Sequence, residues 1–266
     1  MTTLERNNIG PWVWEAQRLL ILAGSSITNN GIFNELMEQA VKTFQQQKQL
    51  NISGKIDDAT WKVLGWTDNV NERSLKDADI TSVATQLGVD APAIKAVYEV
   101  ESKGSGFLPD GRPKILFEGH IFWAQLKKRG KDPVQFTNSN EDILFPNWTK
   151  AFYKGNALEY ERLSRAKSID YEAALASASW GTFQIMGFNY KACGHDSIPD
   201  YINSCYSDEG EHLKAFANFI TSAGLLNYLK NKDWAAFAKG YNGPEYKQNN
   251  YDAKLETAYT KYVSKP

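Results

Sequence analysis

Apolar residues recur at helical spacing along most of this chain, and this pattern limits its possible folds more than any other feature. In the stretch NGIFNELMEQAVKTFQ, Met37, Val41 and Phe44 stand four and then three positions apart, so they line one face of a helix. In DAPAIKAVYEVES, Ile94 and Val97 lie on a similar face. Apolar residues make up 42% of the 266 residues, enough to bury a sizeable core. The pattern predicts a mainly α protein.

Strand signals are sparse by comparison. The best candidate is RPKILFEGHIFW, residues 112–123, and even there the pattern fits a helix after Phe117. The stretch DYEAALASAS predicts an Ala-rich helix over residues 170–179. DEGEHLKAFANFITSAGLLNYLKN predicts one long amphipathic helix over residues 208–231. We therefore expect at most a small β-hairpin beside the helices.

The first 66 residues contain a turn followed by a helix twice in order. In the first of these, Asn34 is the expected N-cap of the helix. In the second, SGKIDDATWKVLG, Gly54 turns the chain and Asp57 or Asp58 caps a short helix. An earlier amphipathic stretch, WVWEAQRLLILAG, ends at Gly24, a residue suited to terminating a helix. This part of the chain is expected to form three short helices.

A polar run, TDNVNERSLKDAD, separates this part from the rest of the chain. It is rich in Asn, Asp and charge, and it has no helical spacing of apolar residues. From residue 75 onward the predicted helices become longer. We expect a small three-helix domain over residues 1–67, a linker over residues 68–74 and a larger α-helical domain over residues 75–266.

Composition excludes several classes of function. The net charge is −1, so no strongly basic field exists to hold nucleic acid or an anionic membrane. The start, MTTLERNNIGPW, does not resemble a secretory signal peptide, and no run of about 18 apolar residues could span a bilayer. Cys193 and Cys205 are expected to be free thiols, with a disulfide as the alternative. His120, His195 and His212 show no metal-ligand spacing, so we expect no metal or other cofactor.

The stretch AIKAVYEVESKGSGF places Glu101 in the last turn of a predicted helix, where the helix dipole disfavours negative charge. Glu101 follows Val97 by four positions and Tyr98 by three, so it continues the apolar face. Apolar neighbours and the helix terminus should both raise its pKa. Cleavage of a glycosidic bond needs a carboxylic acid that stays protonated near neutral pH. Position alone favours an ion pair with Lys103 or Arg112 at the helix end over a catalytic role.

Two later motifs offer groups that suit a sugar. SASWGTFQIMGFN carries small residues that allow close approach of a ligand, and Gln184 provides both a donor and an acceptor. DWAAFAKGYNGP ends with Tyr241 and Asn242, a ring that can stack and an amide that can hydrogen-bond an N-acetyl group. Taken singly, the first motif is compatible with an ordinary turn and the second with an ordinary helix cap.

Together these motifs resemble known families. The segments EAQRLLILAG, NGIF, AVKTFQ and ISGKIDDATWKVL resemble the small helical peptidoglycan-binding domain of cell-wall hydrolases, over residues 8–66. The segments VESKGSGF, ILFEGHIFW, SWGTFQIMGFNY and FAKGYNGPEY resemble the lysozyme-like N-acetylmuramidase domain of endolysins from phages of Gram-negative bacteria, over residues 75–266.

This resemblance implies roles for particular residues. Glu101 stands where that family carries its essential glutamate, and Thr182, Gln184, Tyr241 and Asn242 fall in motifs expected to bind the substrate. The implied reaction is cleavage of the β-1,4 bond from N-acetylmuramic acid to N-acetylglucosamine in peptidoglycan. The alternatives are a lytic transglycosylase, which forms a 1,6-anhydro product without water, and a non-catalytic wall-binding or virion structural protein.

Glu118 is the candidate for a second catalytic carboxylate, because a charge flanked by apolar residues in ILFEGHIF needs a reason. A buried ion pair with Lys or Arg explains it equally well. Asp110 is expected to be a turn residue and His120 a structural one.

The expected partner is peptidoglycan, with no nucleic acid and no insertion into membranes, and the chain is expected to be a monomer. The resemblance implies that it accumulates in the host cytoplasm and reaches the periplasm and wall once the inner membrane is breached.

Overall fold

The computed structural model of the chain describes residues 1–102 and 104–264 and confirms a mainly α fold with one small sheet. The helices in chain order are α1 (Pro11–Leu22), α2 (Glu35–Gln47), α3 (Asp58–Val63), α4 (Asp77–Leu87), α5 (Ala91–Ser102), α6 (Gly119–Lys128), α7 (Leu158–Ile169), α8 (Tyr171–Ala176), α9 (Ile198–Cys205), α10 (Glu209–Ser222), α11 (Leu226–Lys230), α12 (Trp234–Asn242) and α13 (Tyr251–Val263). The strands are β1 (Ile115–Phe117), β2 (Ala178–Trp180) and β3 (Ile185–Met186). No helix among the described residues is long and apolar enough to cross a bilayer.

The chain divides into two compact units. The first comprises residues 1–68 and 117–174, and the second comprises residues 69–116 and 175 onward. The boundary near residue 68 coincides with the end of the expected N-terminal domain. Residues 117–174, however, cluster with that N-terminal part. The expected domain limits therefore stay a prediction about the chain's modules, and the compact units are a separate feature of the structure.

The helix ends in the N-terminal part follow the expected capping chemistry. The Asn34 side chain accepts a hydrogen bond from the backbone N–H of Met37 at 3.0 Å, and the Asp57 side chain accepts one from Thr60 at 2.9 Å. Gly24 follows α1 with φ of 95°, a left-handed conformation that glycine adopts without strain. These three predictions are confirmed. They could be made from sequence because capping depends on residues that are close together in the chain.

Helix α1 packs against α7 within the first unit. The indole of Trp14 stacks on the ring of Tyr171, with the ring centroids 5.6 Å apart and the planes 22° from parallel. Lys167 places its ammonium 4.3 Å from the Trp14 ring centroid, and the Asn29 amide donates to the Tyr171 hydroxyl at 3.3 Å. These contacts give the N-terminal helices a packing surface on residues 117–174, in addition to their own core.

In the second unit, α5 packs against α4 and α13, and α13 packs against α12. The expected linker joins this unit through its last turn. Arg73 donates to the Tyr206 carbonyl at 2.9 Å, and its guanidinium lies 4.1 Å from the Phe107 ring centroid. Residues 70–73 form a short 3-10 turn.

Two helix predictions need correction. The Ala-rich helix ends at Ala176, and the next residues form an antiparallel hairpin that pairs Ser179 with Met186 and Trp180 with Ile185. All three residues of β2 are buried, so tertiary packing overrides the helical propensity of alanine. The long helix predicted over residues 208–231 breaks into α10 and α11, because Gly224 adopts φ of 72°.

The small sheet has the strand order β1-β2-β3. The Gly181 N–H donates to the Lys114 carbonyl at 2.8 Å, just before β1 begins. The best candidate strand from the sequence is therefore confirmed, although the hairpin itself is formed by β2 and β3. Helix α6 begins at Gly119, two residues after Phe117, which agrees with the expected change to a helix.

Candidate active site

Glu101 lies in the last turn of α5 and is partly buried. Burial raises the pKa of Tyr241, and the charge of the Glu101 carboxylate raises it further. The same two causes, in the same order, raise the pKa of Tyr251. Both phenols therefore lie close to the carboxylate, and both stay neutral at physiological pH. The predicted position of Glu101 in the last turn of a helix is confirmed, and its catalytic role stays a prediction.

Asn242, the last residue of α12, binds the Glu101 carboxylate directly. Its side-chain nitrogen donates to both oxygens, at 3.2 Å and 3.4 Å. Such donation favours the ionised acid, the form that remains after a proton has been given away. Within the part of the chain that the structure describes, the Asn242 amide oxygen is buried without a hydrogen-bond partner. An N-acetyl N–H or a sugar hydroxyl could donate to that oxygen.

Tyr241 has surroundings typical of a packing residue. Its hydroxyl donates to the Phe183 carbonyl at 2.8 Å, and its ring lies parallel to that of Phe237 at 5.9 Å between centroids. Phe216 and Phe219 meet it edge-on. The expected stacking of a sugar on the partly exposed Tyr241 ring stays a prediction. The contacts of Tyr241 also hold the end of α12, and with it Asn242, near the Phe183 carbonyl of the β2–β3 turn.

His212 of α10 holds the β2–β3 turn by contacts with Thr182. The His212 Nδ1 accepts from the Thr182 backbone N–H at 3.2 Å, and it lies 2.9 Å from the Thr182 hydroxyl. The His212 Nε2 lies 2.7 Å from the Cys205 carbonyl, to which it donates. Burial lowers the pKa of His212, so the ring is neutral in this role. Gly181 is required here, because a Cβ would lie 2.8 Å from the imidazole.

Thr182 and Gln184 differ in their exposure to solvent. Thr182 is only 2% exposed, so its hydroxyl serves the turn, and its expected contact with substrate stays a prediction. Gln184 is exposed and has φ of 49°, a strained conformation for a residue other than glycine. Its amide accepts from Ser179 at 2.8 Å and donates to the Gly181 carbonyl at 2.7 Å. Its exposed side chain remains a candidate substrate contact.

Glu209 is a buried carboxylate that the sequence did not single out. It is 1% exposed and accepts hydrogen bonds from the Tyr98 hydroxyl at 2.8 Å, from the Leu75 N–H at 3.0 Å and from the Gly106 N–H. Tyr98 lies one turn before Glu101 on α5, and Gly106 lies in the segment after it. Glu209 thus holds in place a residue before Glu101 and a residue after it, although both are far from Glu209 in sequence.

Glu118 lies in the first unit, just before α6. Its carboxylate accepts from the Tyr153 hydroxyl at 2.6 Å, and one of its oxygens lies 3.4 Å from His120 Nδ1. No Lys or Arg nitrogen lies within 4.0 Å of this carboxylate among residues 1–102 and 104–264, so the ion-pair explanation is wrong for that part of the chain. The buried pair in this region is instead Glu159 with Arg162, at 2.7 Å. A catalytic role for Glu118 stays a prediction.

The remaining expectations concern nearby charges and the thiols. Lys103, one proposed partner of Glu101, lies outside the described residues. Arg112, the other, donates to the Asp110 carboxylate at 2.7 Å, and Asp110 lies in a turn as expected. Cys193 and Cys205 are buried free thiols, which confirms that prediction.

A partly buried glutamate at a helix end with an amide directed at it is an arrangement that suits acid catalysis of glycosidic bond cleavage.

Comparison with known families identifies the chain further. The profile of the N-acetylmuramidase family matches residues 90–263, more than half of the chain, and that of a peptidoglycan binding domain matches residues 10–64. The chain therefore belongs to the N-acetylmuramidase family and is a modular endolysin that hydrolyses peptidoglycan. It resembles the crystal structure of the Burkholderia AP3 phage endolysin, with 39% identity, a TM-score of 0.68, and coverage of 99% of this chain and 100% of that one. No curated protein matches the chain.

Proposed function

We propose that the enzyme cleaves the β-1,4 bond from N-acetylmuramic acid to N-acetylglucosamine, with Glu101 as the general acid. The observation that supports this most is the pair of hydrogen bonds from Asn242 to the Glu101 carboxylate. A general acid ends the first step as an anion, and a donor already in place stabilises that anion without reorganisation.

The chemical step follows from this geometry. The protonated Glu101 donates its proton to the glycosidic oxygen as the bond from that oxygen to C1 of the muramic acid breaks. The bonding electrons leave with the N-acetylglucosamine oxygen, and C1 develops oxocarbenium character. Water then adds to C1 and its proton passes to the Glu101 carboxylate, directly or through solvent, which restores the acid and leaves a reducing N-acetylmuramic acid. Glu118 is our proposal for the group that assists the water or stabilises the positive charge.

A cleft beside residues 99 and 100, in the same unit as Glu101, has the size that a sugar needs. Its volume is about 690 Å³, and its walls come from the end of α5 and the start of α13, including Val100, Tyr251 and Lys254. Clefts of a few hundred to about a thousand Å³ are typical of small-molecule sites. The cleft combines the apolar surface of Val100 with the aromatic ring of Tyr251, the mixture that a pyranose ring prefers.

The released products test the bond specificity. Mass spectrometry of digested peptidoglycan should find fragments that end in reducing N-acetylmuramic acid. Fragments 18 mass units lighter, with a 1,6-anhydro end, would identify a lytic transglycosylase. Fragments that end in reducing N-acetylglucosamine would contradict the proposed bond.

We also propose that the enzyme is a monomer that binds neither nucleic acid nor membrane, and that it accumulates in the host cytoplasm before it meets the wall. The two buried free thiols support a reducing compartment. Fractionation of infected cells before and after breach of the inner membrane tests the route, and light scattering tests the oligomeric state.

A further inference from the structure

Trp148 is an unusually exposed aromatic residue in the first unit. Its side chain is 60% exposed, in the irregular segment between the Pro133–Phe136 turn and α7. An exposed large apolar side chain is informative when its neighbours hold it in place, because a mobile one would simply cover other apolar surface. The contacts of the residues around Trp148 show whether its side chain is held in place.

Aromatic residues pin this segment to the start of α6. Phe145 is 8% exposed, and its ring lies between those of Phe152, at 5.1 Å, and His120, at 6.5 Å. Gly119 permits this approach, since a Cβ there would lie 2.4 Å from the Phe145 ring. The segment therefore has a fixed base, and Trp148 projects from it.

The Tyr153 phenol lies beside the Trp148 side chain. The Tyr153 hydroxyl donates to Glu118 at 2.6 Å. Burial raises the pKa of Tyr153, the bond to Glu118 raises it further, and a hydrogen bond with the Trp148 side chain opposes them. The neutral phenol thus lies close to both the Trp148 side chain and the Glu118 carboxylate. The Lys150 ammonium lies over one face of the indole, 5.6 Å from the ring centroid, so a sugar would stack on the opposite face or displace this cation.

The same cluster contains an unsatisfied polar atom. Among the described residues, His120 Nδ1 is buried without a hydrogen-bond partner, and its 3.4 Å approach to Glu118 lacks hydrogen-bond geometry. An exposed flat apolar face beside a carboxylate, a phenol and an imidazole is the combination that binds a pyranose ring, which has apolar C–H faces and a rim of hydroxyls.

We propose that Trp148 is a stacking platform for one sugar ring of the peptidoglycan glycan strand, held in place by Tyr153 and Glu118. The proposal rests on the proposed function for its substrate class, but it concerns binding and not bond cleavage. Trp123 provides a matched comparison. It is partly exposed and lies 6.0 Å from the ammonium of Lys127, but it lies outside the cluster around Glu118.

Fluorine NMR of the full chain labelled with 5-fluorotryptophan tests this proposal. The Glu101→Gln variant removes turnover, and the resonance missing after Trp148→Phe or Trp123→Phe assigns each signal. The probe is a tetrasaccharide of alternating N-acetylglucosamine and N-acetylmuramic acid. We expect the Trp148 resonance to shift on titration and the Trp123 resonance to stay. An unchanged Trp148 resonance at millimolar tetrasaccharide overturns the proposal.

Kinetics provide the second measurement. In the active enzyme, Trp148→Ala should raise KM about tenfold, the size expected for the loss of one aromatic contact. Trp148→Phe should restore most of the affinity, because it keeps a stacking face. An unchanged KM in folded Trp148→Ala also overturns the proposal. Failure of the proposed function is distinct, since it would appear as wild-type protein that releases none of the expected fragments.

Discussion

Replacing Asn242 with Ala removes two hydrogen bonds that reach the Glu101 carboxylate. A hydrogen bond to a charged group contributes about 1.5–3 kcal/mol. The lengths here, 3.2 Å and 3.4 Å, exceed the usual value, so we take the lower end of that range. The loss of this donation destabilises the carboxylate relative to the neutral acid, so the pKa of Glu101 should be higher in the variant.

The sign of this change sets the shape of the pH profile. Asn242 donates to the carboxylate and so favours the ionised form, and its loss favours the protonated form. A general acid is active while protonated, so activity falls as pH rises through its pKa. The alkaline limb of kcat/KM should therefore move to higher pH. At the pH optimum the rate should fall about tenfold, because the anion left after proton transfer has lost its donor.

Hydrolysis of soluble peptidoglycan fragments across a pH range measures both effects. Gln184→Ala is the matched control, because Gln184 is an exposed amide whose contacts lie within the hairpin region. That variant should raise KM and leave the alkaline limb in place. If Asn242→Ala raises KM without moving the limb, Asn242 is a sugar contact alone and the reasoning is refuted.

Three further predictions follow from the structure. Glu118→Gln should keep the melting temperature, because an amide oxygen can still accept from Tyr153, and should lower kcat more than it raises KM; normal kcat would remove Glu118 from the reaction. Removal of residues 1–66 should weaken retention on purified peptidoglycan. It should also lower the melting temperature, because Tyr171 loses its stacking contact with Trp14. Retention equal to that of the full chain would contradict the binding role. Burial lowers the pKa of His212, so the unfolded state binds a proton that the folded state does not. The free energy of unfolding should therefore fall as pH drops below about 6.5, and His212→Gln should flatten that part of a profile of melting temperature against pH.

Local chemistry explains which parts of the fold the sequence predicts well. The caps at Asn34 and Asp57 and the helix end at Gly24 depend on residues a few positions apart. The position of Glu101 in the last turn of α5 follows from the same helical spacing. A small hairpin was expected, but its position at β2 and β3 was not predicted, because strands of two or three residues carry no measurable period and their alanines and serines also suit a helix.

The candidate site was predicted less completely, because its support comes from distant residues. Glu209 lies more than a hundred positions from Tyr98 and Gly106, and nothing near it in sequence indicates that it is buried. Tyr241 and Asn242 were recognised as a motif, but the sequence did not show that the Tyr241 ring packs on Phe237 or that the Asn242 amide hydrogen-bonds Glu101. A sequence pattern can thus identify residues of a site before it can assign their individual roles.

The most direct test of the central claim is lysis by the Glu101→Gln variant. Glutamine has nearly the shape of glutamate but cannot donate an acidic proton to the glycosidic oxygen. Loss of general acid catalysis costs about a hundredfold to ten-thousandfold in rate. We predict that turbidity of a peptidoglycan suspension falls slower by that factor, with an unchanged melting temperature. A folded Glu101→Gln protein that clears the suspension at close to the wild-type rate would contradict the account.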